Sequence, residues 1–323
     1  MRRSHSSFAI ALAWGGAATA ILFVSASTSA TAASVPEERA LFITSRTISG
    51  NESIGRVGKY TTSGATVDAS LISGLSNPFG VTVSDSTIFV ADSNAGTIGK
   101  YTTSGQTVNA SLISGFNNAW GVAVSGSTLF VASQNAPTSI GTYTTSGRPL
   151  NPSLINTNLY LAESFAVSGS RIFVGAGSGI PGDGRVFEYT TSGQLVNDHL
   201  ITNLTDPYGL AVSGSDLFVA DLSTGIVGKY TTSGATVDAS LITMTHPAAI
   251  AVSGPDLFIS DLHDGTDPTD DTVGRYTTSG EVVNASLING VGGFGLAIVP
   301  EPATGLLVAL GVGGLVAASR ARA

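Results

Sequence analysis

The pentapeptide Tyr-Thr-Thr-Ser-Gly begins at Tyr60, Tyr101, Tyr143, Tyr189, Tyr230 and Tyr276, so successive copies stand 41, 42, 46, 41 and 46 residues apart. A unit of about 42 residues copied six times is the mark of a repeat architecture, because one such unit cannot bury its apolar face alone and must stack on its neighbours. That constrains the fold more than any local propensity does.

The second unit shows what is repeated. Phe79-Gly80-Val81-Thr82-Val83-Ser84 alternates apolar with small or polar residues, as a half-buried strand does. Asp85-Ser86 reads as a turn, Thr87 to Ala91 as a second strand, Asp92 to Gly96 as a loop, and Thr97 to Thr102 as a third strand. Ser104-Gly105 makes a tight hairpin turn in which glycine supplies positive φ, and Gln106 to Ile113 is a fourth strand. Four short antiparallel strands per unit are the content of a propeller blade.

The strand count predicts how the ring closes. Third and fourth strands occur six times, whereas first strands recur only at Phe79, Trp120, Ser164, Tyr208 and Ala249 before the final segment Phe294 to Val299. The body opens on Ala40-Leu41-Phe42-Ile43-Thr44, a second strand with no first strand before it. The expected fold class is therefore all-β: a six-bladed β-propeller over residues 40–299, four antiparallel strands per blade, with the C-terminal strand completing the N-terminal blade. Such closure leaves neither chain end as a free sheet edge.

Composition limits what the fold can use. Apolar residues make up 42% and charged residues 11%, against ~25% charged in an average domain, so Ser, Thr, Asn and Gly must cover the surface. No cysteine is present, which removes disulfides, thiolate metal sites and cysteine nucleophiles.

Both ends read as sorting signals. Arg2 and Arg3 precede an apolar run from Phe8 to Val24, and Ala30-Thr31-Ala32 fits the small-residue pattern cut by signal peptidase. Residues 1–32 are thus expected to be a signal peptide. At the other end, Pro300-Glu301-Pro302 leads into the apolar run Ala303 to Ala318 and a basic end carrying Arg320 and Arg322. This tail, residues 299–323, resembles the PEP-CTERM sorting signal. The resemblance implies an exosortase-type sorting enzyme as partner, transient membrane insertion, and residence on the envelope surface or in the extracellular matrix of a Gram-negative bacterium. The 16-residue run is short against the ~17–25 residues that span a bilayer, which suits a transient span and leaves a permanent anchor as the alternative.

Arginines on the outer side of both apolar runs place both termini in the cytoplasm and the body outside, by the positive-inside rule. Setting aside those four arginines leaves ten basic residues against 22 acidic, or 21 without Glu301. A body near −12 or −11 repels phosphate backbones, which excludes nucleic acid.

Phe89-Val90-Ala91-Asp92-Ser93-Asn94 and Phe218-Val219-Ala220-Asp221 resemble the NHL-type propeller repeat, in which a strand ending Val-Ala-Asp precedes a turn. The likeness spans residues 40–299, with Ser45, Ser133 and Ala176 at the aspartate position in three units. It implies ligand or protein binding, with occasional enzymes, and carries over no catalytic residue.

Strand parity sorts the connections. First-to-second and third-to-fourth turns share one face (the turn face), where the copies are uniform. Second-to-third loops and between-blade connections share the other (the loop face), where they differ. Long loops are expected at Ser45 to Val57, Gly175 to Arg185 and Asp261 to Thr272, and binding usually sits on such loops. At the start of the innermost strands stand Phe79, Trp120, Glu163, Tyr208, Ala248 and Phe294. Aromatics and a carboxylate around a channel mouth could stack on sugar rings and accept hydroxyl hydrogen bonds, or the rings could fill gaps between blades.

Three further patterns suggest chemistry at first sight. Asp261, Asp264, Asp267, Asp270 and Asp271 could hold Ca2+, but lack EF-hand spacing and read better as a solvated acidic loop. The glycines between Gly175 and Gly184 precede strand pattern rather than a helix N-terminus, so they are no phosphate loop. His246 is the single candidate general base, and the repeated tyrosine is expected to pack between blades. The favoured expectation is an exported, non-enzymatic binding or scaffold module for polysaccharide or protein, with no catalytic set and no cofactor. A purely structural repeat is a third reading. The enzymatic alternative is a lyase or lactonase-type hydrolase using Glu163 or His246 with a divalent ion.

Overall fold

The computed structural model describes residues 39–49, 52–133, 138–157, 162–177, 180–263 and 270–299. The expected signal peptide and the sorting motif Pro300, Glu301 and Pro302 with its apolar run lie outside the described residues, as do Asp264 and Asp267.

The chain forms six four-stranded antiparallel sheets, and their inner strands neighbour one another in cyclic order. Five inner strands are Pro78–Ser84, Ala119–Ser125, Ala162–Ser168, Pro207–Ser213 and Pro247–Ser253. The sixth is Leu296–Ile298, which pairs with Ala40–Ser49 in the register Leu41 to Ile298 and Ile43 to Leu296. The first blade thus holds the C-terminal strand together with Ala40–Ser49, Glu52–Thr61 and Thr66–Leu75, as the strand count requires.

The closing strand is shorter than the expected Phe294 to Val299, and side chains make up the difference. Thr44 accepts the Gly295 N–H on its hydroxyl at 2.9 Å and donates to the Phe79 carbonyl at 3.0 Å. Ser260 donates to the Gly293 carbonyl at 2.9 Å while accepting from Ala249 N–H at 2.9 Å. Both hydroxyls are fully buried, and the other blades carry Ala91, Ala132, Gly175 and Ala220 at that register. Buried hydroxyls stand where the backbone ladder is missing, which is the condition under which burying them is tolerable.

One expected loop is corrected. Ser45 to Val57 is not a loop: Ala40–Ser49 and Glu52–Thr61 continue as one long hairpin, pairing Ser45 with Arg56 and Ser49 with Glu52. The strands run on because alternating polar residues can pair in the solvent as well as in the sheet.

Six hydrophobic clusters lie between adjacent blades, and a repeat tyrosine sits in each. Tyr101 packs with Phe42, Val57 and Ile72 of the preceding blade, and Tyr60 closes the circle against Phe258, Val273 and Ile288 of the sixth. The tyrosine is an inter-blade wedge, as expected. The turn beside it is locally determined. In the second blade Thr102 and Ser104 hydroxyls share a hydrogen bond of 2.8 Å, Gln106 N–H donates to Thr102 Oγ1, and Gly105 takes φ +86°.

Basic side chains stitch the seams. Lys59 donates to Thr103 O, Lys100 to Thr145 O and Lys229 to Thr278 O, each the turn of the next blade, at 3.1–3.2 Å. Arg275 reaches Thr62 O across the closure. In the fourth blade the position is Glu188, and Arg171 takes over, pairing with Glu188 at 3.1 Å and donating to Thr232 O at 3.0 Å. Between the third and fourth blades the position is Thr142, whose hydroxyl donates to Asn151 O of its own blade.

Candidate functional site

The inner strands converge at their N-terminal ends, on the loop face, because small residues allow close approach there. A Cβ added to Gly209 would stand 2.4 Å from Ala248 O, and one on Gly295 only 2.0 Å from Phe79 O. The residue one step earlier in each strand then points to the axis. Four of the six expected mouth residues meet as one aromatic cluster. Phe79 stacks on Trp120 at 4.2 Å between centroids and on Phe294 at 4.7 Å, while Tyr208 lies 5.4 Å from Phe294 and 6.2 Å from Trp120. Ala248 is buried beneath them. Glu163 lies in the inner strand Ala162–Ser168, and its side chain is outside the described residues.

The cluster has two levels. Phe79 and Tyr208 are buried, whereas Trp120 and Phe294 are partly exposed. Leu222 and Leu262 join them from the second-to-third loops. These two leucines were missed in the sequence. Their signal was the position after the repeat aspartate, in Asp221-Leu222 and Asp261-Leu262, where the second blade has Ser93. All three donate backbone N–H to the preceding connection: Ser93 to Asn77 O, Leu222 to Asp206 O and Leu262 to His246 O. The space left along the channel is about 110 Å³.

The repeat aspartates are clamps. Asp92 accepts from Ser76 and Asn77 N–H at 2.8 Å, Asp221 from Thr205 and Asp206 at 2.7 and 3.0 Å, and Asp261 from Thr245 and His246 at 3.1 and 2.7 Å. Each carboxylate thus binds the connection that enters its blade. Asp261, one of the five acidic-loop residues, is thus tied to the backbone by one hydrogen bond on each oxygen. Asp270 and Asp271 are described, but no group of three metal-ligating side chains gathers among the described residues.

His246 and His199 stand in different surroundings. His246 Nδ1 is buried and makes no hydrogen bond with the described residues. His199 sits exposed on the rim, with Nδ1 2.8 Å from Asp198 and Nε2 3.1 Å from Arg185. An arginine only donates, so Nε2 is the acceptor and the proton sits on Nδ1. That hydrogen bond holds the Asp198 carboxyl below its usual range, and Arg185 occupies the atom a general base would use.

Charge divides unevenly between the faces. By strand register the loop half carries seven described carboxylates, Asp92, Asp183, Asp206, Asp221, Asp261, Asp270 and Asp271, against Arg46, Arg56 and Arg185, a balance of −4. The turn half carries Arg39, Lys59, Lys100, Arg148, Arg171, Lys229 and Arg275 against Asp68, Asp85, Glu188, Asp198, Asp216, Asp238, Asp256 and Glu281, a balance of −1. Ion pairs at 2.8 Å tie Lys229 to Asp216 and Arg275 to Asp256 there.

No protein-family model matches the chain, and no curated protein matches it. Solved structures do. The chain is similar to one from a nidogen/laminin complex, at 14% identity and TM-score 0.63, covering 81% of this chain and 98% of that one. It is also similar to regucalcin, a calcium-binding protein of Agrobacterium tumefaciens strain C58, at 13% identity and TM-score 0.50, covering 66% and 74%. At such identities the likeness shows the fold, a six-bladed propeller.

Proposed function

We propose that the chain is an exported binding module whose ligand engages the loop face, centred on Trp120 and Phe294. The observation that carries this reading is the aromatic cluster itself. It narrows the channel mouth, yet leaves two large rings and Leu222 partly open to solvent amid polar, acidic loops. Large rings at the centre of a polar rim are where binding energy concentrates in recognition surfaces. The surrounding carboxylates favour an uncharged or basic macromolecule and disfavour anionic polymers, so neutral polysaccharide is the first ligand to try.

A catalytic channel is less well supported. The cavity of about 110 Å³ falls below the ~300 Å³ at which small-molecule sites begin, and aromatic rings occupy most inner-strand ends. The sorting features of the two terminal segments support export and attachment through the tail.

Trp120 and Trp14 are the two tryptophans, so Trp120 reports alone once residues 1–32 are removed. Titrating neutral polysaccharide should change its fluorescence, and Phe294→Ala should weaken binding at least tenfold while the protein still unfolds cooperatively, a few degrees lower for the lost ring contacts. Unaltered affinity in Phe294→Ala and in Leu222→Ser would refute the loop-face site.

A further inference from the structure

The two described chain ends leave the propeller together, on the turn face and beside its axis. Val299 N–H donates to Ala40 O at 3.1 Å, Thr62 N–H donates to Arg39 O at 3.0 Å, and the Arg39 guanidinium donates to Ser253 Oγ in the neighbouring blade's turn. Inner strands run from the loop face to the turn face, so the chain after Val299 departs from the side opposite Trp120 and Phe294. We infer that the turn face is an interaction surface for the lipid bilayer, on which the attached protein lies flat with its aromatic cluster outward. This rests on the membrane attachment named above but not on the identity of the ligand.

The length of the tether limits the alternatives. Four residue steps separate Val299 from Ala303, where the apolar run begins, and they reach ~14 Å at full extension. Laying the loop face on the bilayer would take the tether across three strand spacings, ~14 Å, and then along a strand of about seven residues, ~22 Å. That path exceeds the reach before side chains are counted.

Two surface features favour lying flat over standing on edge. The first is a ring of exposed apolar residues, one per blade, just after each Tyr-Thr-Thr-Ser-Gly turn: Val67, Val108, Leu150, Val196, Val237 and Val283, all about half exposed. Nothing in the packing requires apolar residues there. By strand register all six stand at the turn-face end of the outer strands. The second is charge: the turn half is near neutral while the loop half is acidic, so an anionic lipid surface repels the loop face more.

The absence of cysteine makes single-cysteine labelling clean. Gln106→Cys and Gln194→Cys report the turn face, Ala95→Cys and Ser223→Cys the loop face, and Ser111→Cys the outer strand; all five positions are exposed. Each full chain, labelled with a small fluorophore, is reconstituted in phosphatidylethanolamine/phosphatidylglycerol vesicles containing a bromolipid quencher. The expected result is quenching at both turn-face sites at least threefold stronger than at the loop-face and outer-strand sites. Equal or stronger quenching at Ala95, Ser223 or Ser111 would overturn the orientation. A full chain that does not float with the vesicles would overturn the lipid contact while leaving polysaccharide binding by the loop face untouched.

Discussion

The two faces of the propeller are built from the same six copies and have diverged in opposite ways. On the turn face each copy repeats one hydrogen-bonded device: a Thr–Ser hydroxyl pair, a glycine at positive φ, and the second threonine's N–H donated to the neighbouring turn of its own blade, as Thr103 does to Ser86 O and Thr232 to Ser215 O. The turn's glycine also abuts the preceding blade, so each residue has both a local and a seam role. On the loop face only three blades share the aspartate clamp, together with the backbone hydrogen bond of the residue after it. A connection held at a few backbone positions tolerates differences in length elsewhere, so variation collects there, and with it the aromatic cluster.

The severest way to break the symmetry of the ring is at its closure. A chain ending at Gly293 loses Leu296 and Ala297 from two inter-blade clusters and exposes the edge of Ala40–Ser49. Calorimetry should show loss of the cooperative transition, with aggregation through the freed edge. A truncated chain that melts like the parent would mean that the clasp is dispensable.

Raising pH attacks the wedges common to all seams. Burial raises the pKa of Tyr60, Tyr101, Tyr143, Tyr189, Tyr230 and Tyr276 above the ordinary 10.0. The folded state therefore holds these protons more tightly than the unfolded chain. Their contribution is fully present below about pH 10 and is lost as pH rises through the higher folded values. Denaturant midpoints should fall steeply above pH 10, and replacing one wedge by phenylalanine should make that fall shallower.

A matched pair of glycines compares the faces directly. Gly105 and Gly182 have φ of +86° and +83°, but a Cβ at Gly105 would meet Leu71 O at 2.5 Å while one at Gly182 meets nothing within 4 Å. Gly182→Ala should cost about 1 kcal/mol, from backbone strain alone. Gly105→Ala should cost about 2–3 kcal/mol, because the seam must also open. Equal losses by urea titration would show that the turn does not bear on its neighbour.

The smallest effect concerns the uneven stitching. Lys100 lies over the Phe89 ring at 5.6 Å and donates to Thr145 O, so Lys100→Met should cost about 1 kcal/mol. Thr142→Lys would restore the same contact between the third and fourth blades and should gain a few tenths of a kcal/mol by the same reasoning. No gain would mean that this seam differs by more than one side chain.

Much of this was legible in the residues. The period, the four-strand content of a unit, the closing strand and the wedge role of the tyrosine follow from spacing and alternation, which are local properties read at successive positions. Ser45 to Val57 misled because polar alternation reads alike in a loop and in a solvated hairpin, and pairing is decided by the opposite strand. Trp120, Tyr208, Phe79 and Phe294 were placed at one mouth by counting, but counting left open whether they offer rings to a ligand or fill gaps between blades.

The sequence alone determined the architecture, because six equal copies with one missing first strand close in a single way. It also determined which residues share a face, since strand parity needs no coordinates. Only the tertiary structure decided that four aromatic rings meet at the channel mouth, that Asp261 is a clamp, and that Thr44 and Ser260 complete the short closing strand. Those facts depend on distances between residues far apart in the chain. The radius of the ring at its axis is fixed by how closely Gly209 and Gly295 let neighbouring strands approach, a packing outcome that no single repeat encodes.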